Sequence, residues 1–93
     1  AYMRQWSSPG WYGQSLDNKP YLTLDDAGRV IASDPEGYRI LVWDAIGTPV
    51  EVWGEYGSDV SAFDLPTGIA ADGQGGLYVI DSGNNRVMYF APE

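Results

Sequence analysis

The stretch Asp81-Ser82-Gly83-Asn84-Asn85-Arg86-Val87 joins two short apolar runs. Glycine and asparagine tolerate the left-handed backbone conformation that a tight turn requires, so the stretch predicts a β-hairpin. Asp81 and Arg86 flank the turn, where a carboxylate and a guanidinium can form a charge-assisted pair.

The spacing of this stretch recurs 47 residues earlier in the chain. Four residues return at that offset: Asp25, Gly28, Asp34 and Arg39 recur as Asp72, Gly75, Asp81 and Arg86. Apolar residues obey the same offset, as in the pairs Leu22 and Ile69, Val30 and Leu77, Ile40 and Val87, and Trp43 and Phe90. A period in this range is typical of solenoids, propellers and other repeat arrays.

The organisation predicted for the chain is all-β, because short apolar runs are separated by Gly, Pro, Asp and Asn. Four strand types are predicted, each in two copies: Tyr21–Leu24 and Gly68–Ala71, Arg29–Ser33 and Leu77–Ile80, Arg39–Asp44 and Arg86–Phe90, Val50–Trp53 and Met3–Trp6. Residues 19–54 then form a complete four-stranded unit, residues 66–91 form three strands of a second unit, and residues 2–6 are a detached last strand. Since an unpaired strand edge tends to recruit a partner, we expect residues 2–6 to complete the second unit of a neighbouring copy.

The composition narrows the possible functions. The 93 residues include no Cys and no His, which removes thiolate chemistry, Ser/His/Asp catalysis and the commonest zinc ligand. A net charge of −8 disfavours nucleic acid and direct contact with an anionic membrane. The sequence therefore predicts no catalytic residue, no metal and no cofactor, and the chain is expected to be a fragment of a longer protein.

The second repeat, Pro66–Asp72 followed by Gly75 and Leu77–Val87, resembles the NHL repeat. The resemblance implies a β-propeller, most often six-bladed, with four antiparallel strands in each blade. Two blades per chain then imply a ring of three chains, a homotrimer with a swapped strand. The first repeat departs from the motif at Asp34-Pro35-Glu36-Gly37-Tyr38-Arg39-Ile40, so its loop need not have the same shape.

The repeated polar residues have two interpretations. Asp34 with Arg39, and Asp81 with Arg86, are interpreted as structural pairs that lock their turns, because they occur in both copies as scaffold residues do. The alternative is that they line a channel and hold a ligand. The remaining aspartates are interpreted as solvated turn residues rather than calcium ligands, since no Asp-x-Asp-x-Asp-Gly pattern occurs.

Aromatic residues are the candidate ligand contacts. Trp6 and Trp53 end last strands and are expected to pack between blades. Trp11, Tyr12 and Tyr56 lie in Gly-rich connectors, where aromatic rings suit glycan or peptide recognition, although packing between blades is at least as strong an alternative.

The function predicted is a non-catalytic scaffold or a binding module for a protein, peptide or glycan. The zinc chemistry of some NHL-like propellers needs His, and the RNA binding of others needs a basic face; this sequence has neither. Residues 11–20 are similar to segments in the NHL regions of bacterial membrane glycosyltransferase-like proteins. That resemblance implies an alternative, an accessory domain outside the membrane; a carboxylate-dependent glycan-active enzyme is a further one.

Overall fold

The computed structural model describes residues 5–6, 20–60 and 62–92, and this part of the chain is all-β. It contains seven strands and two single-turn 3₁₀ helices. The strands are β1 Leu22–Leu24, β2 Val30–Asp34, β3 Arg39–Trp43, β4 Pro49–Trp53, β5 Pro66–Ala71, β6 Leu77–Asp81 and β7 Arg86–Phe90. The 3₁₀ helices, Pro35–Gly37 and Ser82–Asn84, occupy the β2–β3 and β6–β7 turns.

The strands form two antiparallel sheets in chain order. The first sheet has the order β1-β2-β3-β4, and the second has the order β5-β6-β7. The predicted strand types and their order are therefore those observed over residues 22–53 and 66–90. Within the described residues, β7 pairs with β6 alone.

Strand ends differ from the predicted ones by one or two residues. β3 ends at Trp43 because the carboxylate of Asp44 accepts the backbone N–H groups of Ile46 and Thr48, at 3.0 and 2.9 Å, and so begins a turn. β5 starts two residues early, at Pro66, and its pairing with β6 is irregular between Pro66 and Ile69. Proline suits the first position of a strand, since it has no N–H to donate to the ladder.

Each sheet has two apolar faces, and residues 47 positions apart lie on equivalent faces of the two sheets. Face A of the first sheet carries Ile31, Ser33, Ile40 and Val42, and face A of the second carries their counterparts Tyr78, Ile80, Val87 and Tyr89. Face B of the first sheet carries Val30, Ala32, Leu41 and Trp43, and face B of the second carries Leu77, Val79, Met88 and Phe90.

The core forms where face A of the first sheet packs against face B of the second. Ile31, Ile40 and Val42 meet Leu77 and Val79 there, and the connecting loop adds the fully buried ring of Phe63. The two blade-like sheets thus stack with unlike faces in contact, and face A of the second sheet is left outermost.

Two tryptophans expected to pack between blades occupy corresponding positions. The ring of Trp53 lies 4.9 Å from Phe90 and 5.7 Å from Phe63, between the two sheets. The ring of Trp6 lies 6.1 Å from Trp43, which is the residue that corresponds to Phe90. Of residues 2–6, only Gln5 and Trp6 are described, and neither belongs to a strand.

Candidate functional site

The pair formed by Asp81 and Arg86 lies at the end of the β6–β7 hairpin. The Asp81 side chain is fully buried, and its Oδ2 accepts Nε–H of Arg86 at 2.9 Å. The same carboxylate accepts the Asn84 side-chain amide at 2.8 Å and the backbone N–H of Asp64 at 2.7 Å. Three donors thus compensate the desolvation of one buried charge.

The outer nitrogens of Arg86 hold the loop Gly54–Leu65, which connects the two sheets. Nη1 donates to the carbonyl of Ser58 at 2.9 Å, and Nη2 donates to the carbonyls of Asp59 and Ala62 at 2.9 and 3.0 Å. The side chain of Asn84 adds a bond to the carbonyl of Gly57 at 2.8 Å. The second hairpin therefore clamps the loop that enters its own sheet.

The first repeat has the same turn shape in spite of its different sequence. Nε of Arg39 donates to Oδ2 of Asp34 at 2.6 Å, and Asp34 is buried. Tyr38 adopts φ 56° and ψ 38°, nearly the left-handed values of Asn85, φ 54° and ψ 45°. A Cβ atom on Gly37 would collide with the Asp34 carboxylate, so the close approach of that carboxylate requires glycine.

Of the three predicted ligand contacts, Tyr56 is the one that the structure describes. Its side chain is 66% exposed, and its ring meets that of Tyr38 edge-on at 4.8 Å. Trp11 and Tyr12 lie outside the described residues. Sequence reasoning missed Tyr38, although a signal was present: a bulky aromatic residue replaces Asn85 of the other repeat at a left-handed position.

Aspartate carboxylates organise three turns by one hydrogen-bond pattern. Oδ1 of Asp25, Asp44 and Asp72 accepts the backbone N–H groups two and four residues later, at 2.7–3.0 Å. Burial alone would raise the pKa of Asp25, but hydrogen bonds and charge from Arg29 outweigh it and lower that pKa. In the part of the chain that the structure describes, no three carboxylates converge as a metal site would need.

Face A of the second sheet carries two tyrosines that the sequence analysis did not single out. The rings of Tyr78 and Tyr89 lie 4.7 Å apart, and the Tyr89 hydroxyl donates to Oδ2 of Asp72 at 2.6 Å. This hydrogen bond lowers the pKa of Asp72 and raises that of Tyr89. The available signal was the offset, because Ile31 and Val42 become tyrosine in the second repeat.

The comparison with family models locates one match in the second half of the chain. Residues 63–88 match the NHL repeat. The matched segment runs from the buried ring of Phe63 through β5 and β6 into β7, and it contains both Asp81 and Arg86. Its aspartate–arginine pair is thus the one that clamps the connecting loop.

A curated relative is similar over a larger part of the chain. The sequence is 35% identical over 81 residues to the E3 ubiquitin-protein ligase TRIM71 of Rattus norvegicus. The aligned segment covers 87% of this chain and 8% of that relative. Within the described residues, no helix is long and apolar enough to span a membrane.

Proposed function

We propose that this chain supplies two blades of a β-propeller that serves as a non-catalytic scaffold or binding module for a protein, peptide or glycan. The observation that carries the proposal is that the charged side chains of the NHL motif bind groups within the chain itself. Asp81 and Arg86 bind each other, the connecting loop and the hairpin, so their polar atoms serve the scaffold. We propose no ligase activity for this chain, because the alignment covers only 8% of the relative that is named as a ligase.

The ring proposed for this chain has six blades contributed by three copies. Residues 2–6 of one copy would pair with β7 of the next copy and complete its three-stranded sheet. The contact of Trp6 with Trp43 supports this pairing, because the residues that lie 47 positions later, Trp53 and Phe90, are also in contact. Trp6 thus has the position that the last strand of a preceding blade would give it.

The mass of the assembly tests this ring. Three chains of 10.2 kDa would give a particle of about 31 kDa in light scattering. Deleting residues 1–6 should abolish that particle, because the edge of β7 would then be left without its strand. A folded wild-type monomer would refute the ring, and so would an unchanged mass and melting curve after the deletion.

The ligand surface proposed is the aromatic connector surface, with Trp11, Tyr12 and Tyr56 as contacts. Exposed Tyr56 supports it, since a tyrosine ring offers an apolar face and a hydroxyl to a sugar or peptide. Glycan arrays and peptide libraries should yield a ligand whose binding weakens at least tenfold in Tyr56→Ala and Trp11→Ala. A ligand whose affinity is unchanged in both variants would place the binding surface elsewhere.

The proposal further predicts no turnover on glycan substrates, no need for metal, and no binding to nucleic acid or anionic vesicles. Glycan hydrolysis that is lost in a carboxylate variant of unchanged stability would make the chain an enzyme. Asp25, Asp44 and Asp72 are poor candidates for that chemistry, because their carboxylates accept turn hydrogen bonds.

A further inference from the structure

An aromatic pair lies where the turn of the first hairpin meets the connecting loop. The rings of Tyr38 and Tyr56 meet edge-on, with their centroids 4.8 Å apart and their planes at 65°. Tyr56 is 66% exposed, and Tyr38 is partly buried. A partner can therefore reach the aromatic surface of this pair from solvent.

Tyr38 is a departure from the repeat. The aspartate–arginine pair of the hairpin recurs in both repeats, as scaffold residues do, whereas Tyr38 has Asn85 as its counterpart. Tyr38 nevertheless keeps the left-handed backbone, with φ 56°, which a bulky residue rarely adopts. Residues held in sparsely populated backbone conformations cluster at functional sites. An aromatic residue that occurs at only one of two equivalent turns suits a binding contact better than a scaffold role.

Hydrogen bonds on both sides of Tyr56 fix its place in the loop. The Phe63 N–H donates to the carbonyl of Glu55 at 2.7 Å, and the Gly57 N–H donates to the carbonyl of Phe63 at 2.9 Å. The ring of Phe63 is fully buried, so this part of the loop is tied to the core. Arg86 adds its three bonds to carbonyls of the same loop. The aromatic pair is thus formed before a partner binds, which reduces the ordering cost of binding.

The charge near the pair is negative. An exposed glutamate precedes each tyrosine, Glu36 by two positions and Glu55 by one. The arginines of both hairpins are bound to buried aspartates, so their charges are compensated inside the chain. The chain as a whole carries a net charge of −8. Such a field favours a cationic partner, repels an acidic glycan and adds nothing to the binding of a neutral one.

We propose that the pair of Tyr38 and Tyr56 binds an arginine or lysine side chain in a basic peptide segment of a partner protein. The proposal rests on the binding module proposed above and deepens it, because it names the class of ligand and adds Tyr38 to the contacts. A cation over the face of a tyrosine ring is attracted by the ring quadrupole. The surrounding carboxylates attract the same cation over a longer range.

Fluorescence anisotropy with two labelled peptides tests the class of ligand. The probe has four Arg-Gly-Gly repeats, and its neutral control has four Gln-Gly-Gly repeats. We expect the arginine peptide to bind about tenfold more tightly or better, with an affinity that falls as salt is raised. Equal affinities of the two peptides, or no binding of the arginine peptide, would overturn the proposal.

The variant Tyr38→Asn separates the aromatic contact from the general negative charge. Asn85 has nearly the same backbone conformation at the equivalent turn, so the variant should keep the wild-type urea midpoint or raise it. Its affinity for the arginine peptide should nevertheless fall about fivefold or more, because one aromatic ring is lost. The matched control Ile46→Asn changes an exposed residue at the opposite end of the first sheet and should leave binding unchanged. Equal affinities of the two variants would overturn the proposal.

Substitutions at Tyr56 give a second test, which does not depend on the folding of Tyr38→Asn. Tyr56→Leu keeps apolar surface at an exposed position but removes the aromatic ring, and it should weaken binding of the arginine peptide about fivefold or more. Tyr56→Phe keeps the aromatic ring and should bind within about twofold of the wild type. Equal affinities of these two variants would contradict a cation–aromatic contact.

The results separate this proposal from the function on which it rests. Binding of a neutral glycan or peptide through Tyr56, with no preference for arginine, would overturn the cationic ligand and leave the binding module standing. Glycan hydrolysis by a chain that still binds the arginine peptide through both tyrosines would overturn the non-catalytic function and leave this site standing.

Discussion

Replacing Arg86 with alanine tests the structural interpretation of the repeated aspartate–arginine pair. The substitution removes one of three donors to a carboxylate that is fully buried, along with three bonds to loop carbonyls. Removing one partner of a buried ion pair costs about 3–5 kcal/mol. Because the Arg86 side chain is 29% exposed and two donors to Asp81 remain, we expect the lower end, about 3 kcal/mol.

Two further variants separate the contributions. Arg29→Ala breaks an ion pair of 2.6 Å whose arginine is 43% exposed, and it should cost less than about 1 kcal/mol. Arg86→Lys should give an intermediate loss, since an ammonium group can pair with Asp81 but cannot reach the loop carbonyls in the same fork geometry.

Urea denaturation followed by tryptophan fluorescence is a suitable assay, because Trp53 lies between the two sheets. At fixed protein concentration, a loss of about 3 kcal/mol lowers the urea midpoint by roughly 1–3 M, since the slope for small proteins is about 1–3 kcal/mol per molar urea. A loss no greater than that of Arg29→Ala would refute the structural interpretation. Full stability combined with lost glycan or peptide binding would instead assign Arg86 to the ligand site.

Two further predictions concern a hydrogen bond and a pair of glycines. The bond from Tyr89 to Asp72 lowers the aspartate's pKa and raises the tyrosine's. Its contribution to stability is thus lost as pH falls through the lowered pKa and as pH rises through the raised one. Tyr89→Phe should flatten both limbs of the pH dependence of the urea midpoint, and unchanged limbs would contradict this. Gly28→Ala should lower the free energy of unfolding by about 1 kcal/mol, since the φ of Gly28 is positive and its new Cβ would meet no other atom. Gly54→Ala should lower it by at least about 2 kcal/mol in the same assay, because φ is positive there too and the Cβ would collide with the ring of Phe63. Equal losses in the two variants would be inconsistent with that collision.

The strands and their order could be predicted from the sequence because the information is local and occurs twice. Turn residues separate apolar runs at matching positions, and the 47-residue offset matches β1, β2 and β3 to β5, β6 and β7. The pairing of Asp81 with Arg86 was equally accessible, since the two residues flank one hairpin. The ends of the strands were harder to predict, because a carboxylate such as that of Asp44 can end a strand by accepting hydrogen bonds from the turn that follows.

The clamp on the connecting loop could not be predicted in the same way. The bonds from Arg86 reach carbonyls 24 to 28 positions away along the chain, and carbonyl acceptors carry no side-chain signature. The left-handed conformation of Tyr38 was difficult to predict for a different reason. The offset aligns Tyr38 with Asn85, but a bulky residue is rare in that conformation, so the alignment alone does not predict that Tyr38 keeps the left-handed backbone that the φ and ψ values show.

The apolar pattern of β6 and β7 predicts the burial of both faces of the second sheet. A strand with one solvated face alternates apolar and polar residues, whereas Leu77-Tyr78-Val79-Ile80 and Val87-Met88-Tyr89-Phe90 are apolar on both sides. Both faces of the second sheet are therefore suited to burial, but over the described residues face B is packed against the first sheet while the large side chains of face A are 47–68% exposed. The first sheet shows how such a face becomes buried, because Ile31, Ile40 and Val42 of its face A lie against face B of the second sheet.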